Sequence, residues 1–151
     1  MKKWFLILVA VLGFSGLAGA QKFSVGGGLT SQFQNGFVLG FGINLGAEDL
    51  VKFSKDFGLD ARVDLEGSFG AGAFLFGLGA GVYASYQISD IDIYFGPRVI
   101  VLLSPASAFG FGALLGLRYD LSNTLALYSE VRFLFTPAFD YQAALGVRIL
   151  L

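Results

Sequence analysis

The residues best equipped for chemistry stand together in Asp60-Ala61-Arg62-Val63-Asp64-Leu65-Glu66, where a charged side chain recurs at every second position. Carboxylates so spaced can act as general acid and base or hold a cation. Further charges of both signs follow: Asp92 and Arg98, Arg118 and Asp120, Glu130 and Arg132, Asp140 and Arg148. Nucleophilic catalysis lacks its parts. The chain has no His and no Cys, so Ser104, Ser107 and Ser129 have no evident base beside them. Disulfides, zinc-thiolate sites and a lipid-modified cysteine are excluded on the same ground. Gly26-Gly27-Gly28 is not followed by the Lys-Ser/Thr of a phosphate cradle. No catalytic residue, metal or cofactor is expected, and a formal net charge of −1 offers nothing to nucleic acid. The carboxylates read instead as partners of the five arginines, because a buried charge must be paired.

The elements that must position these charges are unusually apolar. Of 151 residues, 55% are hydrophobic and only 14% charged, with 22 Gly and 17 Phe, a poor composition for a water-soluble domain. The length fits one domain. Residues 1–20 read as a cleavable signal peptide: Lys2 and Lys3, an apolar run from Trp4 to Leu12, and Ala18-Gly19-Ala20 before Gln21. Residues 21–151 then form the mature barrel domain. Removing Lys2 and Lys3 from the ten basic residues leaves eight against eleven acidic ones, a net of −3.

Three uncharged stretches, Phe23 to Ala47, Gly67 to Ser89 and Val99 to Leu117, are long enough to cross a bilayer as helices. Turn-forming clusters interrupt two of them, Gln34-Asn35-Gly36 and Ser104-Pro105 among them. Period-two alternation accounts for more. Phe57, Leu59, Ala61, Val63 and Leu65 alternate with Gly58, Asp60, Arg62, Asp64 and Glu66. Phe139, Tyr141, Ala143, Leu145, Val147, Ile149 and Leu151 alternate with Asp140, Gln142, Ala144, Gly146, Arg148 and Leu150. Eight strands are predicted, at about 23–33, 36–46, 57–69, 73–87, 91–103, 108–121, 124–135 and 139–151. Short turn sequences separate them, except for Ala47–Asp56, where a longer connection with a helical turn around Asp49–Phe53 is expected.

All twelve charges named above fall on one face of their strands. The opposite face carries bulky Phe, Leu, Ile, Val and Tyr, too large for the narrow interior of an eight-stranded barrel, whereas the charged face is rich in Gly. The bulky face therefore points outward, into lipid. A lipid-facing Arg costs about 2–4 kcal/mol near the midplane, so turning five outward would cost on the order of 10–20 kcal/mol. The fold class expected is all-β: an eight-stranded antiparallel up-and-down transmembrane barrel with Tyr83, Tyr94 and Tyr128 also inside. Outward aromatics should mark the two membrane interfaces, with Phe33, Phe37, Phe69, Phe74, Phe109, Phe135 and Phe139 at one rim and Phe23, Phe57, Tyr86 and Tyr119 at the other.

Over essentially its whole mature length the chain resembles the small OmpA/OmpX-type barrels of the bacterial outer membrane. Gly146-x-x-Ile149-x-Leu151 resembles that family's C-terminal assembly signal in spacing, with aliphatic residues where the signal prefers aromatic ones. The resemblance implies an outer-membrane location, outer-membrane lipid and the assembly machinery as partners, and a monomer. It implies a non-enzymatic envelope role, with a small passive pore as the alternative.

Overall fold

Every predicted strand becomes a strand. The computed structural model describes residues 22–32, 38–70, 73–104, 108–135 and 139–151. In chain order they form β1 (Lys22–Gln32), β2 (Val38–Lys52), β3 (Phe57–Gly70), β4 (Ala73–Ile88), β5 (Ile91–Ser104), β6 (Ala108–Asp120), β7 (Leu125–Phe135) and β8 (Phe139–Leu150). Each pairs antiparallel with its chain neighbours, and β1 pairs with β8 to close the barrel. At the seam of closure the Leu151 amide donates to the Phe23 carbonyl at 2.8 Å. Among the described residues no helix is long and apolar enough to cross a membrane. The expected signal peptide, Phe33 and Phe37 lie outside the described residues.

The register fixes the tilt of the strands. Followed from Gly26 through Asn44, Asp64, Gly79 and Ile100, the row of paired residues reaches Gly110 on β6. Followed the other way through Arg148 and Ala126 it reaches Asp120 on the same strand, ten residues further along. Ten residues of stagger around eight strands tilts each by about 41° to the barrel axis, using ordinary strand spacings. Such a tilt lets the side chains of successive strands interleave at different heights in the lumen.

One expectation is corrected. No helical turn occurs near Asp49, because β2 continues to Lys52 and only 53–56 connects it to β3. Where Ala47 pairs with Ala61 and Val51 with Leu59, β2 carries two extra residues in a bulge. Asp49 there takes φ 55°, the left-handed region, and its amide donates to Asp60 Oδ1 at 2.8 Å. That bond replaces the ladder contact the bulge removes. The rim bearing the termini therefore has connections of only 53–56, 89–90 and 121–124. The longer connection expected over Ala47–Asp56 is thus reduced to four residues.

The exterior is aliphatic and aromatic along every strand, β7 alternating exposed and buried without exception from Leu125 to Phe135. Phe69, Phe74, Phe109 and Phe135 are exposed toward one rim, and Phe23, Phe57, Tyr86 and Tyr119 toward the other. Phe69 and Phe74 pack with ring centres 4.8 Å apart, and Phe111 and Phe135 at 5.5 Å. In water such a surface would aggregate; in hydrocarbon it is the favourable one.

Candidate functional site

The lumen is the place where side chains of opposite sign converge. Alternation on β3 turns Arg62, Asp64 and Glu66 inward, and the same parity turns in Asp92 and Arg98 on β5, Arg118 on β6, Glu130 and Arg132 on β7, and Arg148 on β8. All nine are buried. Asp60, Asp120 and Asp140 also lie on this face but are half-buried toward the rims.

Three sets of ion pairs span the interior. Nearest the rim with the termini, Arg118 on β6 donates to Glu48 on β2, and also meets Asp120 at 2.9 Å and Asp92 at 3.5 Å. Deeper, Arg62 on β3 donates to Glu130 on β7, which also accepts the Tyr94 hydroxyl at 2.7 Å. Beyond it, Glu66 on β3 accepts Arg132 of β7 and Arg98 of β5, each at 2.6 Å. Arg132 joins the last two sets through bonds of 2.6 and 2.9 Å to Glu130 Oε2. In a closed ring of eight, β2 and β6 are opposite walls, as are β3 and β7. The principal pairs are thus struts across the full width of the lumen.

Aromatic rings complete the filling. The Arg62 guanidinium lies 4.6 Å from the Tyr83 ring centre and 5.0 Å from that of Tyr94; Arg148 lies 5.6 Å from Tyr94 and 5.1 Å from Tyr128. These cation–π contacts are strengthened where water is excluded. Tyr94 and Tyr128 face Gly116 and Gly146 on the neighbouring strands. A Cβ at Gly146 would stand 2.6 Å from the Tyr128 ring, and one at Gly116 would collide with Tyr94. Gly146, expected as part of the assembly signal, thus also has a packing role, while Ile149 and Leu151 are exposed on the outer face.

Sequence reasoning missed Glu48, which seemed to belong to a loop. It extends the inward series Asn44, Gly46, Glu48, and that parity was the available signal. Bulky apolar side chains on the inner face, Ile100, Leu114 and Leu134, are buried toward the half of the lumen away from the termini. Asp140 has one carboxylate oxygen buried without a hydrogen-bond partner. At the opposite end a small polar recess opens at the terminal rim between Glu48, Asp60, Asp92 and Arg118. Among the described residues no cluster of three or more candidate ligands is arranged to hold a metal.

No protein-family model and no curated protein matches the chain. Solved structures do. A de novo designed transmembrane β-barrel is similar with a TM-score of 0.60 at 16% identity, over 87% of this chain and 97% of that one. Neisserial surface protein A gives a TM-score of 0.56 at 14% identity, covering 86% and 95% of the two chains. The outer membrane enzyme PagL gives 0.52 at 11% identity, covering 86% and 98%. The chain shares their fold. It is that of the small eight-stranded barrels of the bacterial outer membrane, matching the OmpA/OmpX-type architecture expected from the strand pattern. A group holding a designed barrel, a surface protein and an enzyme fixes the architecture, and leaves function to the residues of the site.

Proposed function

We propose that this chain is an integral outer-membrane barrel with a charge-paired, plugged lumen, serving envelope integrity without catalysis. The observation that carries this reading is the set of trans-barrel struts, Glu48–Arg118, Arg62–Glu130 and Glu66–Arg132, each joining opposite walls at a different depth. A pore must leave a water-filled path past such groups, and an eight-stranded interior has little width to spare. The short connections at the rim bearing the termini, 53–56, 89–90 and 121–124, support a barrel that acts within the membrane. Outer-membrane lipid is its principal partner. The outward Ile149 and Leu151, with Gly146, offer the assembly machinery its recognition strand, and the chain works as a monomer.

Planar-bilayer recordings of the refolded protein test the plug. The expected trace shows no discrete conductance steps. Steps that disappear when the same sample is boiled would establish the alternative, a small passive porin-like channel.

A further inference from the structure

One ladder in the wall is broken in its middle. Between β4 and β5 the pairing runs from Gly77↔Leu102 to Gly81↔Arg98 and resumes at Ala84↔Phe95, in the same register. The partners left unpaired are Val82 with Pro97 and Tyr83 with Gly96. Proline has no N–H to give. On its other side the β5–β6 ladder passes through Pro97↔Ala113 without a break, so the absent donor is the one aimed at β4. The Val82 carbonyl is thereby deprived of its ladder bond. Six pairs stand on one side of the gap and five on the other, which puts it well inside the spanning wall. There no lipid can replace the missing donor.

Around the gap the strand pair carries several small residues. Outward, Pro97 faces Val82, with only Ala80 and Ala84 diagonal to it on β4, and inward Gly81 stands beside Arg98 and Gly96 beside Tyr83. Any side chain at Gly96 would collide with the Val82 carbonyl, so the wall must stay thin here. A bulge between Phe76 and Gly77 shortens the same ladder at its far end. Immediately behind the gap, the hydroxyl of Tyr83 and the Nε and Nη1 of Arg98 are buried without hydrogen-bond partners, and both residues are almost fully enclosed. The neighbouring β3–β4 ladder, by contrast, is paired without interruption from Phe57↔Tyr86 to Gly70↔Ala73.

We infer that the wall opens locally and laterally at this seam, making β4–β5 a route between the bilayer core and the lumenal Tyr83 and Arg98. The route runs through the side of the barrel and is independent of whether the lumen is plugged along its axis. Hydrogen exchange on the folded protein in micelles tests it first. The amides of Val82 and Ala84 exchange faster than those of Val63 and Leu65 in the unbroken ladder, by about tenfold for the loss of one such bond. Pro97→Val supplies the missing donor and removes most of that difference. Equal protection of the two sets of amides in the unsubstituted protein would overturn the inference.

Because the chain has no cysteine, labelling gives a second, independent reading. In lipid vesicles a membrane-dissolved apolar maleimide reacts with Tyr83→Cys and spares Asn44→Cys, which faces the lumen where both adjoining ladders are continuous. Equal reactivity at the two positions, or none at either, would contradict a lateral route. If Tyr83→Cys does not fold, the exchange comparison on the unsubstituted chain decides alone.

Discussion

Glu130 is the side chain on which most of the interior depends. It takes hydrogen bonds from Arg62, Arg132 and Tyr94 while fully enclosed. Two carboxylate oxygens so occupied leave little lone-pair capacity unused, and the arginines it serves have few alternatives. Glu130→Ala strands the Arg62 guanidinium in the lumen and leaves Arg132 with Glu66 alone, and the expected loss is about 3–5 kcal/mol, the usual cost of removing one partner from a buried pair. Urea unfolding from vesicles measures it, and a loss under about 1 kcal/mol, the level of an exposed pair, would show the lumen to be wet at this depth. That Glu130 and Arg132 face inward was legible from parity alone. Which residues they meet was not, because Arg62 lies 68 positions away and is brought opposite only by the stagger of the closed sheet.

At the scale of elements, period-two alternation located all eight strands, and the main departure came at one bulge. The stretch Glu48-Asp49-Leu50-Val51-Lys52 breaks the alternation and carries three charges, so it reads as a loop. In the fold, two extra residues are absorbed within the strand, which restores the phase and aims Glu48 across the mouth at Arg118. A bulge leaves no simple periodic mark, and so parity could not disclose it. Its weak point is the left-handed Asp49. Asp49→Gly is expected to change stability by less than about 0.5 kcal/mol, since glycine adopts this φ freely and the exposed Lys52 pair contributes little. Asp49→Val should cost about 1–2 kcal/mol for a β-branched residue forced into the same region. The two midpoints of urea unfolding check the pair, and equal midpoints would mean that the bulge does not depend on this backbone conformation.

For the whole molecule, two faces of opposite chemistry come from a single alternation, and closure decides which face is inside. Most bulky apolar residues take the outer circumference, while Gly116 and Gly146 make room for tyrosine rings within. The β4–β5 ladder is interrupted in the middle of its span, whereas the β2–β3 ladder is broken only by its bulge near the terminal rim. Pro97 was visible in the sequence, but its effect depended on which neighbour its missing donor would have faced. The central claim, that lipid meets the apolar face and the charges are sealed inside, is tested most directly by a spin-label scan of β7 from Leu125 to Phe135 in lipid vesicles. Accessibility to oxygen dissolved in the bilayer should rise and fall with a period of two, high at Leu127, Ser129, Val131 and Phe133 and low at Tyr128, Glu130 and Arg132. A scan of opposite phase, or one repeating every three to four residues, would contradict it.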